Sequence, residues 1–191
     1  MFSLLRTVFV VALAAIACAP SVAPDTSPTT GSMADWNDYG DLEDLVRASD
    51  LVVEARVLRR LDTRDVRGYP AQRVPVAFTE SVVEVRTSLK GNASGELQIV
   101  QLGREGDPAQ TYPEFPILRP GTDVVLFLVD VSADPIHSDG RTKFAIVAPV
   151  GLLRIQGARL TSSAPGFRST DRAVSMTLDQ FRSVVRGVVR N

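Results

Sequence analysis

The stretch from Val74 to Leu89 restricts the fold more than any other part of this chain. It is the longest strand candidate, with Val76 and Phe78 in one phase of a two-residue period and Val83 and Val85 in the other. A one-residue change of phase sends side chains to the opposite face of a sheet, so a change near Ser81 predicts a β-bulge or a sharp bend. A strand bent in this way serves two sides of a barrel. The flanking segments supply partners for it. Leu51 to Leu61 alternates Val53, Ala55 and Val57 with Glu54, Arg56 and Leu58, and Glu96 to Leu102 sets Leu97, Ile99 and Gln101 on one face. Val124 to Val129 is a continuous apolar run, the pattern of a central strand covered on both faces. Phe144 to Ala148, Leu152 to Ile155 and Ala158 to Leu160 are shorter strand candidates. Asp62 to Arg73, charged and broken by Gly68 and Pro70, reads as a loop, as does Asp134 to Arg141 around His137.

Two helices bracket these strands. Asp41 is a suitable N-cap for a short helix reaching Ser49, with Leu42, Leu45 and Val46 on one face. Near the C-terminus, Thr177 and Gln180 form a capping box, with Met176 and Phe181 as the accompanying staple. Leu178, Phe181, Val184, Val185 and Val188 then make an apolar stripe, with Arg182, Arg186 and Arg190 turned elsewhere. Such a helix packs on a sheet; the alternative is a basic helix lying on a membrane surface. The fold class that follows is α+β and mainly antiparallel β. It is a small OB-like barrel or strongly bent sheet with a short N-terminal helix and an amphipathic C-terminal helix.

The N-terminal residues have a different character. Arg6 precedes Val8 to Ala17, ten uncharged and mostly apolar residues, too few for the roughly 20 that span a bilayer but suited to a signal peptide. Ala15-Ile16-Ala17-Cys18 resembles the lipobox of bacterial lipoproteins, with Ala15 where that motif usually has Leu. The resemblance implies cleavage before Cys18, acylation of its thiol and a membrane-anchored, extracytoplasmic location in the cell envelope; simple secretion is the alternative. Two or more acyl chains give stable anchoring. Ala19 to Ala34 is rich in Pro, Ser and Thr and reads as a flexible linker. The expected organisation is therefore a signal peptide at 1–17, a lipidated Cys18 and linker at 18–34, and one globular β-rich domain at 35–191.

A second resemblance lies within that domain. Ala48 to Val57, Val83-Glu84-Val85 leading to Leu89-Lys90-Gly91, and Pro120 to Leu128 are similar to a layout recurring in uncharacterised bacterial secreted domains. That layout is distantly similar to the netrin-like modules that include the tissue inhibitors of metalloproteinases. Those inhibitors chelate zinc through an N-terminal cysteine in a disulfide-rich frame. This chain has one cysteine, placed before a linker, so the resemblance implies fold and does not carry inhibition across.

The composition narrows the chemistry. A net charge of −1 provides no basic surplus for nucleic acid. One Cys and one His limit metal cages and catalytic pairs to single copies. His137 lies between Asp134 and Asp139 but no Gly-x-Ser-x-Gly elbow accompanies it, and a loop histidine is ordinarily solvated. Lys90 and Lys143, the only lysines, are in no Ser-x-x-Lys arrangement. Glu105, Asp107 and Glu114 match no EF-hand spacing, and the glycines form no phosphate loop, so neither metal nor cofactor is expected. What remains is surface. Tyr112, Phe115 and Ile117 stand among Pro113, Pro116 and Pro120 in the long Gly103 to Thr122 connection, either capping one end of the barrel or binding a peptide, glycan or envelope protein. Trp36 and Tyr39 carry the same two readings. The expected function is a non-enzymatic, membrane-anchored binding module. An inhibitor of an envelope or secreted protease and an enzyme of unrecognised type are the alternatives.

Overall fold

Residues 39–67, 75–137 and 139–190 are described by a computed structural model of the chain. The expected signal peptide, Cys18, the expected linker, Trp36 and residues 68–74 of the expected loop lie outside the described residues. The elements in order are helix α1 (Leu42–Ala48), strands β1 (Leu51–Val66), β2 (Val76–Lys90), β3 (Gly95–Leu102), β4 (Asp123–Asp130) and β5 (Lys143–Ile146), a 3-10 turn (Pro149–Gly151), strands β6 (Leu152–Gln156) and β7 (Arg159–Ser162), and helices α2 (Arg168–Ser175) and α3 (Leu178–Arg190).

The sheet closes on itself. Its order is β1-β2-β3-β5-β4-β6-β7, and β4 also pairs with β1, so β1, β2, β3, β5 and β4 form a ring with β6 and β7 as an outlying hairpin. All pairings are antiparallel except that of β3 with β5. The free edge of β4 is shared along its length: Leu128 to Asp130 pair with β5 and Val124 to Leu126 with β6, the 3-10 turn carrying the chain from one to the other. This is the small OB-like closed sheet expected from the sequence.

Closure depends on β1. It pairs with β4 through Leu51 to Arg56 and with β2 as far as Val66, and its register on β2 shifts at four places. Each shift increases the local bend and twist. The irregularity expected near Ser81 is thus on the neighbouring strand; β2 itself pairs with β3 without a break from Phe78 to Val85. The hydrophobic phase changes along β2 because its two ends bury opposite faces. Val76 and Phe78 join an outer cluster with Val100, whereas Val83 points into the ring with Ile99. Likewise, the charged run that read as a loop from Asp62 continues β1 to Val66.

Two larger cores result. The ring interior holds Val53, Ala55, Val57, Val83, Ile99, Val124, Leu126, Leu128 and Phe144. On the outside of β1, β4 and the hairpin, Val52, Val125, Phe127, Leu153 and Leu160 meet Leu42, Leu45 and Val46 of α1, Ala173 of α2 and Leu178, Phe181 and Val185 of α3. The apolar run of β4 is therefore covered on both faces, and the stripe of α3 packs on the sheet. Fully buried Phe181 meets Phe127 edge to face, with ring centroids 6.1 Å apart. Burying one such aromatic side chain stabilises a fold by about 1.5–3 kcal/mol. Tyr39 packs against this same core, consistent with a sealing position.

Both expected caps form. Asp41 accepts from the Asp44 amide at 2.8 Å, and Thr177 and Gln180 bond reciprocally, amide to side chain, at 2.9 and 3.3 Å. Helix α2 was not legible, because its buried face is Ser169, Thr170 and Ala173, without an apolar stripe, and its N-cap Phe167 makes no side-chain cap bond. Among the described residues, no helix is long and apolar enough to cross a membrane.

Candidate functional site

The helices cover one outer side of the ring. The opposite side, formed by the distal half of β1 with β2, β3 and β5, carries the charged groups. Alternation along β2 turns Phe78, Glu80 and Val82 outward, while Thr79, Ser81 and Val83 point inward. The three strands around Glu80 each bring a polar side chain to it. Lys143 Nζ of β5 lies 2.9 Å from Glu80 Oε1, Arg64 Nε of β1 lies 3.3 Å from the same oxygen, and Gln98 Nε2 of β3 donates to Oε2. Lys143 is 2% exposed and also pairs with Asp139 at 2.8 Å, so two carboxylates compensate a buried ammonium. That bond to Lys143 holds the Asp139 carboxyl below its ordinary range.

His137 closes the upper edge of this cluster. It is 6% exposed, its ring stands edge-on to Phe78 with centroids 4.8 Å apart, and Nδ1 is 3.0 Å from an Arg64 Nη. The expectation of a solvated loop histidine is corrected here. The adjacent Ile136 packs on the outer cluster of Val76, Phe78 and Val100, which draws the loop onto the sheet. A guanidinium only donates, so Nδ1 is the acceptor and the imidazole is neutral with its proton on Nε2. Burial pushes the His137 pKa down, Asp134 and Glu80 oppose that, and Arg64 and Lys143 reinforce it.

Below His137 the surface opens into a cleft of about 620 Å³ lined by Arg60, Leu61, Asp62, Arg64, Glu80, Gln98, Asp139, Arg141 and Lys143. A smaller hollow of about 280 Å³, sharing Leu61, Gln98 and Arg141, continues it across β3. Charges in the cleft are matched. Arg64 and Lys143 meet Glu80 and Asp139, and Arg60 is bound by Glu105. The Arg60 bond also keeps the Glu105 carboxyl low. Arg141 and Asp62 make no side-chain ion pair among the described residues, so a donor fork and an acceptor of opposite charge line the cleft uncommitted.

The Gly103 to Thr122 connection takes a different place. Phe115 and Leu118, each 3% exposed, enter the ring interior cluster, and Ile117 is 8% exposed; Tyr112 is half-buried against the same cluster. Gln101, on the inward face of β3, holds the connection: its Oε1 accepts from the Leu118 amide at 2.9 Å and its Nε2 donates to the Pro116 carbonyl at 3.3 Å. Thr79 Oγ1 donates to the Gly103 carbonyl at 2.7 Å, and Gln110 Oε1 accepts from the Ala77 amide at 2.6 Å. The connection is a plug for one end of the ring. Of the two readings, capping one end of the barrel is the one that forms: Phe115 enters the ring interior and Ile117 is buried as well, so the three residues make no exposed apolar patch.

The other candidates are separated. Glu105 turns to Arg60 and Arg119, while Asp107 accepts from the Ala109 amide of its own turn. Among the described residues there is no group of three or more His, Cys, Asp or Glu side chains able to hold a metal. Lys90 donates to the carbonyls of Val46 and Arg47 at 2.8 and 3.0 Å and to that of Ser49, closing the end of α1. The sequence offered one signal for the cleft, namely a Glu at an outward β2 position and a Lys opening β5; only the ring places them side by side. No protein-family model matches the chain, and no curated protein is detectably similar to it.

Proposed function

We propose that this protein is a non-enzymatic binding module, tethered through acyl chains on Cys18 to the outer side of a bacterial membrane, that takes its ligand in the cleft of β1, β2, β3 and β5. The carrying observation is the cleft itself: about 620 Å³ of polar space on the side of the ring that the helices leave bare. Small barrels of OB type bind oligonucleotides and oligosaccharides on the face of strands 2 and 3, between the 1–2 and 4–5 connections. This cleft is lined from β1, β2 and β3, with Asp139 and Arg141 of the 4–5 connection beside Lys143 of β5. Its matched charges disfavour a polyanion, whose capture needs a cationic surplus. They suit a ligand rich in both donors and acceptors, a glycan or a peptide. Arg60, Arg64, Glu80, Asp139 and Lys143 are paired with acids or bases around them, which leaves Asp62 and Arg141 as the charged groups open to a ligand. The reading moves ligand contact from Tyr112, Phe115 and Ile117 to Asp62, Gln98 and Arg141.

Two measurements test it. Intact mass of the membrane-extracted protein is expected to show a mature N-terminus at Cys18 with a diacylglyceryl addition; an unmodified N-terminus elsewhere removes the anchor. For the cleft, the full chain carrying Cys18→Ser is titrated by NMR with panels of neutral oligosaccharides and short peptides. Shifts centred on Gln98 and Arg141, lost in Arg141→Ala, support the reading. Shifts centred on the 103–122 plug, or none across both panels, overturn it.

A further inference from the structure

The chain's single histidine is fastened to the sheet by a contact that exists in only one protonation state. His137 Nδ1 takes a hydrogen bond from Arg64 at 3.0 Å, and the other partner of that guanidinium is Glu80. An added proton on Nδ1 removes the acceptor and sets an imidazolium against a guanidinium that cannot deprotonate. We propose that protonation of His137 releases the Ser132 to His137 turn from the outer face of β2, so that the cleft is gated by acid. The consequence for ligand entry rests on the cleft being the binding site; the release of the turn does not.

The charged groups facing the imidazole divide into two pairs. From β1 comes Arg64, from β5 Lys143 and from β2 Glu80; Asp134 faces it from its own turn. The two cations oppose a second positive charge. The two carboxylates favour one, although each already accepts a hydrogen bond elsewhere. Glu80 already accepts from Lys143 and Gln98. Asp134 Oδ1 accepts from the Ile136 amide at 2.9 Å. Asp139, the remaining acid near the cluster, is held by Lys143. Burial adds to the cost, since His137 is 6% exposed and beside the Phe78 ring.

The turn is built so that one end moves and the other stays. Its base is bonded to β5, with the Val131 amide donating to the Lys143 carbonyl at 3.0 Å and the Lys143 amide to Ser132 Oγ at 3.0 Å. Its tip is held by Ile136 in the small outer cluster and by His137. Losing the histidine contact leaves Ile136 in its cluster, the Asp139 pair with Lys143 two residues on, and both bonds at the base.

Hydrogen exchange on the full chain carrying Cys18→Ser tests the release, with rates corrected for intrinsic pH dependence. The amides of Asp134 and His137, bonded to Val131 and Asp134 carbonyls, report the turn, and those of β4 report the core. The released turn titrates near the ordinary histidine value of about 6.5, so its population is expected to rise by up to about tenfold per pH unit below that value. His137→Gln retains an acceptor that does not titrate and is expected to flatten the profile, leaving the β4 amides unchanged. Should the glutamine variant destabilise the fold, a histidine ring titration by NMR in the wild type decides the matter. A ring titrating at or above about 6.5, or turn amides with the same pH profile in wild type and His137→Gln, overturns the proposal. Ligand binding that fails while the turn still opens overturns the binding reading and leaves the release standing.

Discussion

Glu54 and Arg182 meet across the outer core as a two-pronged pair, Nε to Oε1 and Nη2 to Oε2, each at 2.6 Å. They join the second turn of α3 to the first part of β1, 128 residues apart in the chain. Glu54 is an outward residue of a strand whose neighbours on that face, Val52 and Val125, are apolar, and 6% of its side chain is exposed. Its bonds raise the already high pKa of the guanidinium. Asp179 at 2.7 Å orients the third nitrogen. Arg182 in the sequence belongs to the polar side of a helix; in the fold it fastens that helix to the ring.

Arg182→Ala leaves a buried carboxylate without its fork and is expected to cost about 2–3 kcal/mol, whereas Arg186→Ala, on an exposed position of the same helix, changes stability by less than about 0.5 kcal/mol. Chemical denaturation of both variants checks the contrast. Equal small effects would mean that the pair contributes nothing beyond an exposed ion pair.

The plug makes a second contrast. Phe115→Ala removes a ring from the ring interior and is expected to cost about 3–5 kcal/mol, while Tyr112→Ala, half-buried at the margin, costs about 1–2 kcal/mol. Thermal unfolding measures both. A Phe115→Ala protein as stable as wild type would return that side chain to the surface.

Lys90 ends α1 by donating to three carbonyls that the helix leaves unpaired. Lys90→Met keeps the aliphatic stem and loses the donors, with an expected loss of about 1–2 kcal/mol. Exchange of the Leu45 amide, bonded to Asp41, is expected to accelerate in the same variant. Unchanged exchange and stability would show the contact to be incidental.

Gly103 begins the plug at φ +114, and a Cβ there would stand 2.8 Å from the Gln110 carbonyl oxygen. Gly103→Ala therefore meets both a backbone penalty and a clash with backbone, and is expected to destabilise by more than about 1 kcal/mol. Gly106→Ala, with a positive φ but nothing within 4 Å of the added carbon, meets the first alone. The order of the two unfolding midpoints tests the assignment of the clash.

Stability is expected to fall on mild acidification. His137 titrates lower in the folded chain than in the unfolded one, so its contribution is whole above about 6.5 and is lost as pH falls through the folded value. Glu105, Asp130 and Asp139, all held low, give way only as pH falls below the ordinary carboxylate value of about 4. Denaturation midpoints followed from pH 7.5 down to about 3 in wild type and His137→Gln separate the two ranges.

The strands, both outer helices and their caps could be read from the sequence because each is written locally. A two-residue period, a Thr-x-x-Gln box or an Asp before three spaced apolar residues owes its meaning to neighbours a few positions away. The misreadings were of another kind. The phase change in β2 looked like a bend in its own backbone, yet β2 runs along β3 without a break from Phe78 to Val85, and the two shifts facing Val83 to Thr79 leave their extra residues on β1. Tyr112, Phe115 and Ile117, by contrast, carried two readings, capping one end of the barrel or display, and Phe115, buried in the ring interior, takes the first.

What the sequence by itself determined is therefore the set of elements, the apolar faces that must be covered and the mostly antiparallel class, all of which follow from period and capping. Only the tertiary structure decided the ring closure, the plug and the cleft. Glu80, Gln98, Lys143, Arg64 and His137 come from five separate segments, and none of them carries a local mark of its partners. Charge pairing at 3 Å is a property of strand order and register, and those arise when β1 coils far enough to meet both β2 and β4.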